Sequence, residues 1–444
     1  MEVLTMSATT VQAGFDEFLN SDALSALMRS TWTWDDRALR RDLAALLVDL
    51  DAVRFASPGH DGAQLDTLRA RAHSAASRFI AAVLGPKLIA DTGNPARQQF
   101  LVDATDPARF DRAATKSFVD VRGGASQYIA AQTRELDYPA PSSWMELVTA
   151  DGVQGLGAAM RAFGNSCSMS NFFASMGLAW QTLRAVIGDS TLADEYAEKL
   201  QSGTISATLA AAEQTGSWDP ALVKTRAVQT DDDWRLSGIK QFVPAADHAD
   251  VFFVIARSTA GPSLFAVVGS APGLSVTSLD VTDPTRPLSQ IELNDTPAVL
   301  LGTEGAGGRL MIKAIDLATT ALAAEQVGLI ERAMSLLVQH AAEFPDVPAF
   351  ENLLAEVTLD HVAAASLWRR ALTEEIAGSP GSSSAAAAAH VGCSAAAVRV
   401  ATATAQLVGP SEQSDALFRR ALSGSLLFGG PALSHERLLE RLGV

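Results

Sequence analysis

Apolar residues recur every three or four positions from about Phe15 to Leu209, as in Leu43, Leu46, Leu47, Leu50 and Val53. That spacing puts them on one stripe of an α-helix and predicts an N-terminal helical block. Pro139 and Pro141 interrupt it, and residues 137–143 read as a turn or loop. Helical spacing resumes at Trp144 and runs through 171–187 and 192–200. From about Lys224 to Leu301 the pattern changes to short apolar runs at 228–230, 234–236, 251–255, 264–268, 274–279 and 291–293. Gly, Pro, Asp and Asn punctuate them at short intervals, which predicts an antiparallel barrel or sandwich rather than βαβ units. After Gly302 the helical period returns in 310–340, 353–376, 385–408 and 434–442. The third of these is rich in Ala, Ser and Gly, small residues that let neighbouring helices approach closely. Pattern alone therefore predicts helix–barrel–helix, divided at 1–209, 210–302 and 303–444.

Composition narrows the functions open to such a chain. Its 444 residues carry 50 acidic and 34 basic side chains, a formal charge of -16. Affinity for nucleic acid or for an anionic membrane surface comes from clustered Lys and Arg, so neither partner is expected. An apolar fraction of 48% against 19% charged residues disfavours disorder and allows a large core. Cys167 and Cys393 stand 226 residues apart with no CxxC, as in a reduced protein with two structural thiols. The first fifteen residues lack a basic region and a long apolar run, so no signal peptide is visible. The longest uncharged stretch, 376–398, contains the Gly-Ser-Pro-rich run 378–384, which reads as a loop and not a membrane span. A soluble, cytoplasmic protein is the expectation.

Motifs of catalysis are mostly missing. Gly302–Gly308 is glycine-rich and precedes a helix, but it lacks the GK[ST] of a P-loop and the GxGxxG of a dinucleotide fold. It reads as a strand-to-helix junction. The seven His form no HxxxH or HExxH, so no metal site is expected, and His248 reads as a polar turn residue. No GxSxG is present. Glu325 and Glu331 fall inside the apolar helix 310–340. Burial would raise the pKa of either and fit it to act as a base, with pairing to Arg332 or a neighbouring helix as the commoner outcome.

Three stretches, in order, resemble the acyl-CoA dehydrogenase family. Gly188-Asp189, Tyr196, Leu200, Ser202-Gly203 and then Ala212-Glu213-Gln214-Thr215-Gly216-Ser217 are similar to a helix end leading into the family's TEP.AGSD loop. Trp234 to Pro244, ending at Ala249-Asp250, is similar to its G.K.WIT strand. Asp316 to Gly328, then Phe344, Phe350 and Leu354-Ala355-Glu356, resemble its long C-terminal helices. The resemblance covers about 135–444 and leaves the first hundred or so residues, longer than usual for the family, unassigned. It implies an α+β fold with an N-terminal helical domain, a middle antiparallel β-barrel and a C-terminal four-helix bundle.

The resemblance also implies FAD, held between the barrel and the C-terminal helices with a neighbouring subunit completing the site. Glu213, Thr215, Gly216 and Ser217 occupy the loop facing the flavin ring and phosphates. Phe242 stands for the Trp that packs on the ring, with Val243 beside it, and Gln406 and Gly409 match a "Q..GG" contact. Pro244, Ala341, Glu351 and Pro410 stand where the family has Thr or Ser, Arg, Gln and Gly. The two positions at which the family carries its catalytic Glu hold Gly429 and Ala318, so no catalytic residue is assigned. The implied activity is α,β-dehydrogenation of an acyl thioester, bound to coenzyme A or to an acyl carrier protein, in a homo- or hetero-oligomer (dimer or tetramer). A relocated base such as Glu325, a catalytically silent partner subunit of a heteromeric dehydrogenase, a flavin monooxygenase branch, and a non-redox cyclase or binding role are the alternatives.

Overall fold

The computed structural model describes residues 19–56, 62–90, 140–186, 190–230, 233–343 and 348–444. The N-terminal helices are α1 (Ser21–Ser30), α2 (Arg37–Phe55), α3 (Gly62–Leu84), α4 (Pro86–Ala90) and α5 (Trp144–Ser166). A π-helical stretch, Phe173–Trp180, runs into α6 (Gln181–Arg184), and α7 (Thr191–Gln201) follows. Local chemistry sets the helix starts. The Asp36 carboxylate accepts from the Ala38 and Leu39 amides at 2.8 and 3.2 Å, and the Ser190 hydroxyl accepts from Ala193 N at 3.4 Å, so side chains satisfy amides that a helix end leaves open.

Seven strands follow: β1 (Ala207–Ala210), β2 (Arg226–Gln229), β3 (Trp234–Pro244), β4 (Val251–Ser258), β5 (Gly261–Val268), β6 (Leu274–Ser278) and β7 (Leu288–Leu301). The order β4-β2-β3-β7-β5 returns to β4 through a β4–β5 pairing, which closes a barrel, with β1 beside β4 and β6 beside β7. Most pairs are antiparallel, but β1 runs parallel to β4 and β2 meets β4 in parallel at Arg226↔Arg257. Residues 207–210, expected at the end of the helical block, are thus a strand. Alternation explains the unbroken apolar run of β4. Phe252, Val254 and Ala256 face the barrel interior, while Val251, Phe253 and Ile255 belong to the core shared with the helices, so both faces are buried.

The C-terminal helices are α8 (Gly307–Glu343), α9 (Pro348–Ala377), α10 (Ser382–Val408), α11 (Glu412–Leu426) and α12 (Gly430–Arg441). Helix α11 is not evident in the apolar spacing; its mark is the capping box in which Ser411 and Ser414 bond reciprocally. Among the described residues α10 alone is long and apolar enough to cross a membrane, and it lies between α8, α9, α11 and α12. The expected loop 378–384 is shorter than predicted, because Ser382–Ser384 already belong to α10. Helices α2 and α3 rest on this bundle through Arg40–Glu436 at 2.7 Å, Arg71–Asp360 at 2.9 Å and Arg370–Asp51.

Helices α5 and α8 cross with their backbones in contact. A Cβ on Gly164 would stand 2.0 Å from the Glu325 carbonyl oxygen, and one on Gly328 would stand 2.0 Å from that of Arg161. Gly164→Ala should therefore force the helices apart at a cost of about 1–3 kcal/mol, measurable as a lowered urea midpoint at unchanged slope.

The same crossing holds a buried carboxylate of α8, Glu331. Glu331 accepts from Arg161 and His361. Burial works to raise its pKa, yet the His361 and Arg161 bonds and charges outweigh it and take it down to about 2. Of the two outcomes open to Glu331, pairing with neighbouring helices is the one found, with α5 and α9 and not with Arg332: opposite charge at contact distance overcomes desolvation.

Candidate functional site

Strand β3 slips register against β7 between Lys240 and Val243. Such a bulge re-aims side chains, and here it leaves Phe242 at φ 57° with its ring 43% exposed. A left-handed conformation costs a non-glycine residue roughly 1–2 kcal/mol, strain that folds retain chiefly at functional positions. Beside it runs the loop 213–217. Gly216 has φ 69°, in the left-handed region that favours glycine, and lies next to the Phe242 ring, 3.6 Å from where a Cβ would stand. The Thr215 and Ser217 hydroxyls accept from the Ser217 and Asp219 amides at 3.4 and 3.1 Å.

Glu213 fixes that loop from behind. Its carboxylate accepts from the Lys224 and Thr225 amides at 3.0 and 2.8 Å, from the Thr225 hydroxyl at 2.8 Å and from Lys240 Nζ at 2.9 Å. Lys240 is fully buried and also donates to the Ala211 carbonyl at 3.0 Å. Burial pushes Lys240 down, with Glu213 resisting, to about 8. For Glu213, burial acts upward, but the Lys240 charge and the Thr225 bonds prevail and hold it below the usual range. The Glu213 side chain is thereby taken up inside the protein, as an anchor for the loop.

Val243 is buried beneath this surface, and Pro244 lines a small cavity of about 10 Å³. Phe163, Phe173, Thr285, Arg286 and Arg420 close it, and no Asp or Glu lines it. Behind the guanidiniums stands Glu325, fully enclosed. Arg420 Nε donates to Glu325 Oε1 at 2.6 Å, and Arg286 Nη2 donates to the same oxygen. Arg420 continues to the Thr285 carbonyl and hydroxyl at 2.9 and 2.7 Å and to the Ser168 carbonyl at 3.3 Å. The Arg286 and Arg420 guanidiniums lie over the Phe173 and Phe163 rings at 4.8 and 4.3 Å, favourable stacking for each cation. Burial pushes the Glu325 carboxyl upward, but Arg286 and Arg420 overcome it and keep it below the usual range. A carboxylate held by two guanidiniums is a poor proton acceptor, which corrects the reading of Glu325 as a base.

The positions matched to the family's base carry no group that replaces it. Ala318 is enclosed in α8. Gly429 stands at φ 101°, and a Cβ there would meet Leu433 Cδ1 at 2.5 Å, so the backbone itself is shaped for glycine. Its neighbour Phe428 stacks edge-on against Trp218 at 4.9 Å and meets His390 at 6.2 Å. His390 is sealed in the bundle, and burial pushes it down to about 3, so it stays neutral. Cys393 is buried and Cys167 half-buried; burial raises both thiols, Cys167 to about 11, which leaves them unreactive.

The structure thus gathers Glu213, Thr215, Gly216, Ser217, Phe242 and Val243 into one cluster. Gln406 and Gly409 stand apart, at the C-terminal end of α10, and among the described residues no hydrogen bond or ring contact joins them to it. Phe344 and the side chains of Ala341, Phe350 and Glu351 lie outside the described residues. Among the described residues no three His, Cys, Asp or Glu side chains are placed to hold a metal. Sequence reasoning missed Arg286, Arg420 and Asp283; Asp283 and Arg286 sit in the polar loop between β6 and β7, where charged residues carry no signal of a buried cluster.

A half-exposed aromatic face, a left-handed glycine beside it and an anchored loop backbone fit the ring of a flavin. The phosphate end is another matter, since Gln406 and Gly409 lie outside the cluster. Among the described residues, the part of the chain that fits such a ring is the cluster at 213–217 and 242–243.

Comparison with known proteins agrees with this geometry. The sequence model of the acyl-CoA dehydrogenase middle domain matches residues 208–296, the barrel. An L-prolyl-[peptidyl-carrier protein] dehydrogenase of Pseudomonas fluorescens is 30% identical over 256 residues, covering 52% of this chain and 67% of that protein. Six other curated relatives are matched over 35–61% of their own length. Butyryl-CoA dehydrogenase from Megasphaera elsdenii superposes with a TM-score of 0.61 at 20% identity, over 66% of this chain and 82% of that one. A chain of the ChsE4-ChsE5 complex from Mycobacterium tuberculosis superposes with a TM-score of 0.60 at 21% identity, over 74% and 97%. At such identities the structures share the fold.

Proposed function

The chain belongs to the acyl-CoA dehydrogenase family, and from that premise we propose that it serves α,β-dehydrogenation of an acyl thioester as a subunit whose partner supplies the proton-abstracting carboxylate. The observation that carries this reading is the cavity at Pro244. It is lined by two guanidiniums and no carboxylate, and the buried carboxylate behind it, Glu325, is bound by both. Dehydrogenation needs a base at Cα, and Gly429 and Ala318 leave both matched positions empty of one.

Phe242, Val243, Thr215, Gly216 and Ser217 are the residues that would hold the ring of FAD, which supplies a two-electron acceptor when bound. Phe242 offers the face and the 215–217 backbone, turned at Gly216, the polar contacts. Gln406 and Gly409 would serve the phosphate end of a site completed between chains, as a hetero-oligomer allows. The carrier-protein substrate named for the Pseudomonas fluorescens relative and the two-component complex named for the Mycobacterium tuberculosis structure support a carrier-bound acyl group and a heteromeric assembly. The divisions 1–209, 210–302 and 303–444 belong to the same reading.

The test is purification of the chain alone and after co-expression with a Glu-bearing member of the family encoded beside it. The expected result is a flavin absorption spectrum that is strong only in the co-purified pair and bleaches on adding acyl thioester. A chain that is yellow alone and bleaches with thioester is a self-sufficient dehydrogenase, and the proposal of a partner-supplied base then falls.

A further inference from the structure

Helices α2 and α3 do not close completely onto the bundle. Between them and α9, α10 and α12 lies a cleft of about 160 Å³. A cavity of roughly 150 Å³ takes up benzene, so the cleft has room for a six-membered ring. Its walls are mostly apolar, with Val48, Ala52, Leu68, Ala72, Ala364 and Val391 among them. Four charged side chains reach it, each from a different helix: Asp49, Arg71, Asp360 and Arg399. His435 lines it from α12, with its Nδ1 on the Pro431 carbonyl.

These charges are unequally satisfied. Asp360 accepts from Arg71 Nη1 at 2.9 Å and from Arg399 Nε and Nη2 at 3.3 and 2.9 Å. Asp49 accepts no hydrogen bond and forms no ion pair among the described residues. Burial pushes its carboxyl up, with the charges of Arg71 and Arg399 opposing, so both guanidiniums act on it from beyond contact distance. A largely desolvated carboxylate without a donor is costly until one arrives. Water is a poor occupant, because each molecule wants about two to four polar partners and the Ala, Val and Leu walls offer none.

We propose that this cleft binds a small neutral molecule with an apolar body the size of a six-membered ring and one hydroxyl, which donates to Asp49 and accepts from Arg71. Electrostatics selects the head group. Two carboxylates face two guanidiniums, so an ammonium that paired with Asp49 would meet both arginines, and a carboxylate that paired with the arginines would meet Asp49. A hydroxyl is donor and acceptor at once. The occupant would touch α2 and α3 on one side and the bundle on the other, which ties the N-terminal helices down. None of these residues belongs to the cluster at 213–217 and 242–243, so the occupant is independent of flavin and thioester.

The experiment uses the full chain as purified and four probes with one ring and different heads: cyclohexanol, cyclohexanone, cyclohexylammonium and cyclohexanecarboxylate. Calorimetry reads the affinity, and the thermal midpoint reads binding to the folded state. Cyclohexanol should bind most tightly and raise the midpoint, with the other three weaker by roughly tenfold, the worth of a hydrogen bond to a charged group. Asp49→Ala should bring cyclohexanol down to the level of cyclohexanone, which accepts but cannot donate. Ala363→Leu, which fills the cleft from α9 and leaves all four charges in place, should abolish binding of every probe. Absence of cyclohexanol binding to wild type overturns the site, as does binding that survives Ala363→Leu. Tightest binding of either charged probe, or equal binding of all four, overturns the neutral hydroxyl head.

Discussion

Glu325→Gln is expected to lower the unfolding free energy by about 3–5 kcal/mol, the range for breaking a buried ion pair from one side. The substitution is nearly isosteric, so the loss comes from charge and not from volume. Arg286 and Arg420, 5% and 0% exposed, would share an amide oxygen where they now share a carboxylate, and two enclosed guanidiniums would repel across it. Urea unfolding at pH 7 measures the effect. Its pH dependence has a definite sign. The folded pKa of Glu325 lies below its unfolded value, so the carboxylate's contribution is fully present above the unfolded pKa and is lost as pH falls through the folded one. The gap between wild type and variant should therefore be constant near neutrality and narrow in acid. A gap below 1 kcal/mol at pH 7 would mean that the cluster is already uncharged or open to water.

Glu213→Ala is the second large effect, expected at about 2–4 kcal/mol. It strips a buried ammonium of its counter-ion and removes the acceptor of the Lys224 and Thr225 amides. The folded pKa of Lys240, about 8 against 10.5 for a free lysine, means that the unfolded chain binds more protons between those values, so this residue's term makes stability rise with pH there. Without Glu213 the folded pKa falls further, and the neutral amine becomes the form that is buried. The variant should thus regain part of its loss at pH 9–10, and Lys240→Met in the same background should regain it at pH 7. If flavin is held as proposed, its retention should drop in Glu213→Ala and return in the double variant only as far as the 215–217 loop does. Equal losses at pH 7 and pH 10 would show that Lys240 is not the strained partner.

Much of the architecture was legible because it is written in local periodicity. The runs 251–255 and 264–268 became β4 and β5, and the long helical periods became α8 to α10, since side-chain burial and backbone period are set by the same residues. Three features escaped for physical reasons. β1 has four buried residues whose pairing is parallel and 44 residues away, so nothing nearby signals it. Helix α11 is amphipathic but rich in charge, and its cap is built from two serines. The guanidinium cluster joins Arg286, Glu325 and Arg420 from the barrel, α8 and α11, and no one-dimensional spacing brings such positions together. The resemblance pointed to the loop 213–217 and to β3, which the structure brings side by side, where backbone conformation matters. It could not show that the Glu213 side chain is an anchor, because an acid in a loop looks the same whether it faces a ligand or a buried lysine.

The contacts that seat α2 on the far end of the chain carry a consequence for synthesis. Arg40 and Glu436 are separated by 396 residues, and Arg370 reaches back to Asp51 across 319. At about 5–20 residues per second, roughly 20–80 s pass between translation of α2 and the arrival of α12. During that interval Leu43, Leu46 and Leu47, which end up buried, have α3 beside them but lack the C-terminal helices α9, α10 and α12 that complete their cover. Long-range closure of this kind is slow and exposes apolar faces to other chains. The helices made first are among the last to be packed, so the nascent protein should depend on a chaperone to shield α2 until the bundle is complete, and ribosome-bound chains stopped before α9 should be protease-sensitive within residues 37–55.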